Sequence, residues 1–358
     1  MANYACTSIC VSSILENNKI VFVSVPDSFT DLLQQKLIEK YDSLDDYART
    51  IGMERHAFRW AFKKRNGHQL IRIIRICKDI GISKEELYRS IISYYSYGSH
   101  NKPIRIQDFI EINALFVEGY GLYVAEGDTG YSGTKKARKL RLTNSEPTAI
   151  NFFAHWLDAF FPDINYYVMA MLPEKQRYYD NMNELRIGEK RLKISKGKYN
   201  KKIKYRICMD NAIVVDLILD TREQIRAAVL KDEELAAAYV RGIMAGEGTV
   251  YNNRSKYVRL EMKTADEINF VRKLLDILGI TCTHHKRTTR EGMESLYIGG
   301  KENIKKYYEL VGFGCETKRQ EKLKKLVEAG IQEISLNPDT VIKTTLKIAE
   351  KEKELGIK

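Results

Sequence analysis

Cysteines are few in this sequence, and their spacing excludes two kinds of small stabilised fold. The chain has 358 residues and six cysteines, of which Cys6 and Cys10 are the closest pair, so there is no Cys-x-x-Cys motif. Disulfide frameworks and zinc knuckles need closely spaced cysteines. Cys282, His284 and His285 are possible metal ligands, but adjacent residues of a strand point to opposite faces. We therefore expect reduced thiols and no zinc site.

Long apolar runs and targeting signals are also missing. The most apolar segments, residues 119–127 and 240–248, are too short for a bilayer and are interrupted by Arg241 and by glutamates. The N-terminus has neither a basic start nor a sustained apolar core, so it does not resemble a signal peptide. A membrane-spanning protein is excluded on this basis, and a cytoplasmic location with access to nucleic acid is expected.

The charge is unevenly distributed along the chain. There are 59 Lys and Arg against 47 Asp and Glu, a formal net charge of +12. Ten basic residues and one acid lie in the segment 186–206, and five basic residues and no acid lie in the segment 134–141. Clusters of this kind indicate a surface that faces the phosphates of nucleic acid. The alternative is a solubilising surface with no specific partner.

Two nine-residue stretches of the chain are closely similar. Residues 119–127 and 240–248 are both apolar, are punctuated by small residues, and end in Glu-Gly. If each is a helix, its last turn carries an acidic side chain at the negative end of the helix dipole, which costs about 0.3–1 kcal/mol. The same unfavourable placement at Glu126 and at Glu247 suggests that a cation compensates both.

The small residues predict how these two helices meet. Gly121 and Ala125 lie four residues apart, as do Gly242 and Gly246, so each pair occupies one face of its helix. Such faces allow two helix backbones to approach closely. Packing of one face on the other would bring the two glutamates together, and two neighbouring carboxylates favour a divalent metal between them.

These motifs resemble the LAGLIDADG family of single-chain endonucleases. Both copies have small residues at the third and seventh positions, an acid at the eighth and glycine at the ninth, and the two glutamates are 121 residues apart. The resemblance implies a helical interface built from Gly121, Ala125, Gly242 and Gly246. It also implies that Glu126 and Glu247 are catalytic residues that bind Mg²⁺ or another divalent cation and act on double-stranded DNA.

The residues that follow each motif form an internal repeat. Short alternating strands and amphipathic helices recur in the same order, with Leu142 matching Met262 and Ile207 matching Ile298. The fold class is therefore α+β, with two pseudo-symmetric αββαββα halves forming a DNA-binding saddle of antiparallel sheets, plus a small N-terminal helical domain. About thirty extra residues in the first half correspond to the segment 173–202.

Basic side chains on the predicted strands and hairpins are the candidates for DNA binding. Alternating side chains on an exposed strand face are suited to the major groove, which admits a two-stranded ribbon. The candidates are Lys135, Lys136, Arg138, Lys139, Arg141, Lys198, Lys201, Lys202, Lys204, Arg254, Lys256, Arg259, Lys263, Lys286 and Arg287. Which of them contact bases and which contact phosphates does not follow from the sequence.

The first hundred residues have a different pattern. A strand at residues 20–25 precedes helices at 29–41, 44–51, 54–64, 69–80 and 84–94, and Ser43 and Ser83 are suitable N-caps. The second and third of these helices, separated by a short turn at Gly52, resemble a helix-turn-helix of the phage-repressor type. Arg55, Arg59 and Lys63 would share one face and bind DNA. A solvated face or a dimerisation module is the alternative.

The family resemblance implies hydrolysis of one phosphodiester on each DNA strand. In the family a basic or polar side chain near the strand ends assists each site, and Cys208 and Gly299 stand at those places in our alignment, so this chain departs from the pattern. A DNA-binding regulator or an RNA maturase without cleavage activity is therefore the alternative. An intein is not expected, because the Cys or Ser start and His-Asn finish needed for splicing are missing.

The sequence predicts four parts. Residues 1–100 are the N-terminal domain, residues 101–231 and 232–330 are the two LAGLIDADG halves, and residues 331–358 are a helical tail with a charged helix at 340–355. The expected partner is double-stranded DNA with a long asymmetric target site. We expect a monomer.

Overall fold

The structure is a computed structural model of the full chain. It describes residues 8–63, 68–96, 103–128, 139–175, 184–187, 191–197, 201–253, 255–286 and 292–334. The chain divides into two compact units, residues 1–246 and 247–358. The division falls inside the second motif, directly before Glu247, and the four-part organisation expected from the sequence stays a prediction.

The N-terminal part of the first unit combines helices with a small sheet. Its elements are β1 (Ser8–Cys10), α1 (Val11–Leu15), β2 (Val21–Ser24), α2 (Asp27–Tyr41), α3 (Leu44–Thr50), α4 (Arg55–Lys63), β3 (His68–Gln69), α5 (Leu70–Asp79), α6 (Lys84–Ser90) and β4 (Ser93–Ser96). Three of these strands form an antiparallel sheet in the order β3-β2-β4. The last predicted helix ends earlier than expected, because Ser93–Ser96 continue as a strand paired with β2.

Local sequence explains the helix boundaries in this region. The hydroxyl oxygen of Ser43 accepts a hydrogen bond from the Asp46 backbone N–H, and that of Ser83 accepts one from the Glu86 N–H, each at 3.1 Å. Both predicted N-caps are confirmed, since each satisfies a backbone donor that a helix leaves unpaired. Gly52, with φ of +69°, makes the tight turn between α3 and α4.

The rest of the first unit is the first half of the predicted repeat together with α11, the motif helix that begins the second half. It contains β5 (Phe109–Glu111), α7 (Ala114–Glu126), β6 (Gly127–Asp128), β7 (Leu140–Asn144), α8 (Pro147–Phe160), β8 (Tyr166–Pro173), β9 (Leu192–Gly197), β10 (Lys204–Met209), α9 (Ala212–Asp220), α10 (Arg222–Val229) and α11 (Glu233–Glu247), the last of which ends at the first residue of the second unit. The sheet order is β6-β7-β10-β8-β9. The pairing of β8 with β9 is parallel, and the others are antiparallel.

The N-terminal segment returns to this half of the molecule. β1 pairs with β5, and the side-chain amide of Asn18 donates to the Asp216 carboxylate of α9 at 2.6 Å. The amide of Gln224 donates to the Ser8 carbonyl at 2.8 Å. These contacts join residues that lie between about one hundred and about two hundred positions apart, which sequence periodicity does not reveal.

The second unit repeats the same order of elements. After Glu247 come β11 (Gly248–Asn252), β12 (Lys256–Met262), α12 (Ala265–Ile277), β13 (Thr283–Lys286), β14 (Glu294–Gly299), α13 (Lys301–Leu310) and α14 (Thr317–Ile334). The antiparallel sheet has the order β11-β12-β14-β13. This matches β6-β7-β10-β8 of the first half, so the predicted α+β class with antiparallel sheets is confirmed. β9 is the additional strand contributed by the predicted insertion.

The strand register defines which residues correspond between the halves. Gly127 pairs with Leu142, and Gly248 pairs with Leu260. Leu142 therefore corresponds to Leu260, two residues from the Met262 expected from the sequence. The same two-residue difference makes Ile207 equivalent to Leu296. A shift of two residues preserves the buried face, which is why the alternating pattern could not distinguish the registers.

Five of the six cysteines lie among the described residues. Cys10, Cys77, Cys208, Cys282 and Cys315 are free thiols. Across the described residues, the helices lack the length and apolar character needed to cross a membrane. The helix expected at 340–355 lies outside the described residues.

Candidate functional site

Glycines bring α7 and α11 into backbone contact within the first unit. A Cβ added to Gly121 would lie 2.6 Å from the Tyr239 carbonyl oxygen, and one added to Gly242 would lie 2.1 Å from the Glu118 carbonyl oxygen. One added to Gly246 would lie 2.5 Å from the Cβ of Ala125. All four residues expected at the helical interface thus stand at the contact, where any larger side chain would separate the helices.

A partly buried ion pair crosses the same interface. The Arg241 guanidinium donates to the Glu118 carboxylate at 2.9 Å, and their side chains are 28% and 12% exposed. Burial raises the pKa of Glu118, and the positive charge of Arg241 opposes that rise. Because a shift of one helix past the other would break this pair, it specifies the register of the interface.

Glu126 is the last residue of α7 and is held from the sheet. The Asn144 side-chain amide donates to a Glu126 carboxylate oxygen at 3.2 Å. Asn144 is buried, and its side-chain oxygen Oδ1 accepts a hydrogen bond from the Glu146 backbone N–H at 2.9 Å. This second bond fixes the orientation of the amide, so that its N–H group faces Glu126. Asn144 was not recognised from the sequence, because its role depends on pairing across the sheet.

Glu247 is the last residue of α11 and has a different environment. The residue as a whole is exposed, but partial desolvation of its carboxyl group raises the pKa of Glu247. The charge of Arg319 on α14 lowers that pKa, and the carboxylate of Glu261 on β12 raises it. Arg319 was also missed, because α14 follows the repeat and was not predicted.

The donor set at the helix ends suits a hard divalent cation. Carboxylate oxygens are the ligands that Mg²⁺ prefers, and Mg²⁺ usually takes one or two of them together with water and substrate phosphates. Within the described residues no three His, Cys, Asp or Glu side chains cluster as a metal site. A cation at Glu126 or at Glu247 would therefore need further ligands, such as water and the phosphates of a bound nucleic acid.

The outer face of the first sheet, opposite its buried core residues, carries basic side chains. Arg141 lies beside Asp128 at 3.8 Å, and the Arg206 guanidinium donates to the Thr143 hydroxyl oxygen at 2.9 Å. Lys193 of β9 stands 3.8 Å from the ring centroid of Tyr167. Arg206 and Lys193 were not among the candidates, although both lie in the basic segment 186–206.

The remaining first-half candidates that the structure describes lie near the ends of these strands. Lys201, Lys202 and Lys204 are exposed, and Lys139 pairs with Asp210 at 3.4 Å. Lys135, Lys136, Arg138 and Lys198 lie outside the described residues.

In the second sheet, Arg259 lies on the outer face and the lysines lie at strand ends. The Arg259 guanidinium is 3.2 Å from the Glu261 carboxylate and 4.8 Å from the ring centroid of Tyr251. Lys256, Lys263 and Lys286 are exposed. Lys286 shares the face of His284, which pairs with Glu294 at 2.7 Å. Arg254 and Arg287 lie outside the described residues.

The two positions expected to hold an assisting side chain are not equivalent in the sheets. Cys208 is buried and pairs with Arg141, whereas Gly299 pairs with Tyr257. The true counterpart of Cys208 is Tyr297, which pairs with Arg259. The two-residue register difference described above is the reason.

The predicted helix-turn-helix also contains an internal ion pair. Arg59 of α4 donates two hydrogen bonds to the Asp45 carboxylate of α3, at 2.6 and 2.5 Å. Arg55 is exposed, and the side chain of Lys63 lies outside the described part of the chain. Asp45 therefore neutralises the central residue of the predicted basic stripe.

Comparisons with known proteins identify part of the chain. Residues 234–312 match a family model described as a LAGLIDADG-like domain. This segment runs from the second motif helix to the end of α13, and the resemblance expected from the motifs is confirmed there. No curated protein matches the chain.

Three solved structures illustrate the wider similarity. Mesophilic variants of the homing endonuclease I-DmoI are 16% identical over 56% of this chain and 96% of theirs, with a TM-score of 0.39. I-DmoI in complex with DNA and Mn is 16% identical over 56% of this chain and 98% of its own, with a TM-score of 0.38. Full-length DUF199/WhiA from Thermatoga maritima is 13% identical over 68% of this chain and 69% of its own, with a TM-score of 0.41.

Proposed function

We propose that this chain, whose residues 234–312 match the LAGLIDADG-like family, is a divalent-metal-dependent endonuclease of homing type that cuts double-stranded DNA at a long asymmetric site. The observation that carries the proposal is the pair of motif helices. Each helix ends in a glutamate, each glutamate is followed by glycine and a strand, and glycines line the helical contact. Helix packing alone does not require the acidic residue.

In this proposal Glu126 and Glu247 hold the cation, which is Mg²⁺ or another divalent ion. The chemistry that such a cation supplies is activation of water and stabilisation of charge on the leaving oxygen. Asn144 orients the Glu126 carboxylate through its 3.2 Å hydrogen bond. The unlike surroundings of the glutamates, Asn144 at one and Arg319 and Glu261 at the other, fit cleavage of two strands with unequal rates.

The basic side chains of the sheets position the DNA in this proposal. Lysines near strand ends are suited to phosphates, and arginines on the outer faces, such as Arg141 and Arg206, are suited to guanine. The outer faces of the two sheets carry different residues, which fits an asymmetric target. A monomeric state and a cytoplasmic location remain parts of the proposal.

A second candidate function is DNA binding without cleavage, as in a regulator, or a role as an RNA maturase. Arg319 favours it, because a cation beside Glu247 competes with a metal for the same carboxylate. The buried Cys208 favours it too, since a thiol in that position replaces the expected basic or polar side chain.

A randomised duplex library separates these functions. The full chain is incubated with the library in Mg²⁺ and in Ca²⁺, and cut molecules and retained molecules are sequenced separately. The endonuclease should cut in Mg²⁺, and Glu126→Gln and Glu247→Gln should abolish cutting while retention in Ca²⁺ persists. Glu233→Gln, an exposed acid at the opposite end of α11, is the matched control. Retention without cutting in Mg²⁺ would support the regulator, and undiminished cutting by both glutamine variants would contradict the assigned site.

A further inference from the structure

The outer face of the second sheet carries a continuous row of aromatic rings across its four strands. We call Tyr251, Tyr257, Tyr297 and His285 the aromatic ladder. The rings of Tyr251 and Tyr257 stack with centroids 4.5 Å apart, Tyr257 and Tyr297 are 5.2 Å apart, and Tyr297 and His285 are 5.1 Å apart. The three tyrosines are half-buried and His285 is exposed.

Strand alternation puts the ladder on the face opposite the core. Val258, Leu260, Leu296 and Ile298 point to the other side and are at most 2% exposed. The ladder therefore does not fill the core of the second unit. Packing of the rings on one another also fixes their rotamers in advance, which lowers the entropic cost of binding a partner.

The three tyrosines of the ladder are uncharged, whereas exposed lysines stand at the ends of the neighbouring strands. Arg259, which lies over Tyr251, is paired with Glu261 at 3.2 Å. Lys256 begins β12, Lys263 follows its last residue, and Lys286 ends β13, and all three are exposed. By the same alternation Lys256 and Lys286 belong to the face opposite the ladder, so their charges lie at the strand ends and not among the rings. This arrangement suits a polyanion such as duplex DNA, in which the phosphates would lie near the strand ends and the uncharged base edges would face the rings.

The ring geometry favours groove edges over unpaired bases. The ring of Tyr251 is stacked on Tyr257, and the guanidinium of Arg259 lies 4.8 Å from the centroid of the same ring. A base that stacked on Tyr251 would therefore have to compete with Tyr257 and Arg259. The ring edges and hydroxyl groups remain, and in the major groove the methyl group of thymine is the apolar feature that ring edges can contact.

We propose that the aromatic ladder reads thymine methyl groups in the half-site contacted by the second sheet, so that thymines are enriched in that half of the target. This inference depends on the proposed function only in requiring that the chain bind duplex DNA. The second sheet would thus recognise a different base from the first sheet, where Arg141 and Arg206 are candidates for contacting guanine.

The first experiment locates the ladder's half-site. The full chain and its Tyr297→Ala variant each select duplexes from a randomised library in Ca²⁺, and the selected sequences are compared. Thymine should be enriched in one half-site for the unmodified chain, and Tyr297→Ala should relax the preference in that half alone. Tyr297→Phe is the matched control, because it keeps the ring and should keep the preference.

The second experiment removes only the methyl groups. Thymines of the selected half-site are replaced by deoxyuridine, and affinity should fall about fourfold for each methyl group that the ladder buries. Tyr297→Phe should show the same fall and Tyr297→Ala a smaller one, with thermal unfolding confirming that both variants fold. Substitution in the other half-site is the control.

Several outcomes overturn the inference. These are no thymine enrichment, equal binding of thymine and deoxyuridine duplexes, or an unchanged methyl effect in Tyr297→Ala. Loss of single-strand binding in Tyr297→Ala with unchanged duplex binding would assign the ladder to unpaired bases instead. If the chain retained no duplex DNA at all, the proposed function would fail together with this inference, whereas uracil-insensitive duplex binding would leave the proposed function intact.

Discussion

Gly242 lies so close to the backbone of Glu118 that an added Cβ would stand 2.1 Å from its carbonyl oxygen and 2.8 Å from the Leu122 nitrogen. Both obstacles are backbone atoms, so side-chain rotation cannot relieve the clash. We predict that Gly242→Ala lowers the free energy of unfolding by about 2 kcal/mol or more, despite the better helix propensity of alanine.

Denaturant unfolding of the full chain measures this effect. Gly299→Ala is the control, because a Cβ there meets nothing within 4 Å. If Gly242→Ala were as stable as the unchanged chain, the result would contradict the backbone contact between α7 and α11 at Gly242.

The ion pair between Glu118 and Arg241 should contribute to stability through the cost of breaking it. Arg241→Met leaves the Glu118 carboxylate buried without its cation, and we expect a loss of about 1–3 kcal/mol. The double variant Glu118→Met, Arg241→Met should recover part of that loss, since neither charge then remains. Lys305→Met, which removes an exposed pair with Glu309, should change stability by about 0.5 kcal/mol or less. An additive double variant would show that the two side chains do not interact.

Because of His68, we predict that the stability of the N-terminal region depends on pH. The side chain is buried against the edge of Phe62, and burial lowers its pKa from 6.5 to about 4. Between these values the unfolded chain binds a proton that the folded chain does not, so the stabilisation is complete above pH 6.5 and is lost as the pH falls towards 4. The loss should amount to at most about 3 kcal/mol.

Unfolding followed by fluorescence from pH 7.5 to 4 measures this dependence. His68→Phe, which cannot titrate, should flatten it. His56→Phe, at an exposed position of α4, is the control and should leave it unchanged. The burial of His68 would be contradicted if the pH profile of His68→Phe matched that of the unchanged chain.

Asn144 is predicted to act as a positioning residue for Glu126, on the basis of the proposed function. Asn144→Ala removes the donor at 3.2 Å, and we expect the Mg²⁺ concentration for half-maximal cutting to rise about 10- to 100-fold. Asn303→Ala, which removes a half-buried amide that bonds Thr281 in the second unit, should leave the Mg²⁺ dependence unchanged.

A metal titration distinguishes positioning from simple destabilisation. The titration is carried out well below the melting temperature of the variant, so that any destabilisation does not reduce the folded fraction. An unchanged half-maximal Mg²⁺ concentration for Asn144→Ala would contradict the assigned role.

Several elements could be predicted from the sequence because their causes are local. Ser43 and Ser83 satisfy backbone donors only three residues away, and the strands alternate buried and exposed residues with a period of two. The two glutamates and the glycines four residues apart were visible as a repeated motif for the same reason.

Other features could not be predicted because they depend on pairing between distant residues. The counterpart of Leu142 is Leu260 and not the expected Met262, and this depends on strand register. The expected and the observed registers differ by two residues and bury the same face, so the sequence pattern does not distinguish them. The pairing of β1 with β5 and the contact of Asn144 with Glu126 likewise require the folded sheet.

The sequence by itself determined the α+β class, the repeated order of elements and the glycine faces of the motif helices, because these follow from residue periodicity and from the size of single side chains. Only the tertiary structure decided that Arg59 bonds Asp45, that Arg319 lies near Glu247 and that four aromatic rings form a ladder on the second sheet. The physical reason is that charge pairing and ring packing depend on distances across the fold, which the chain specifies only after its strands and helices have assembled.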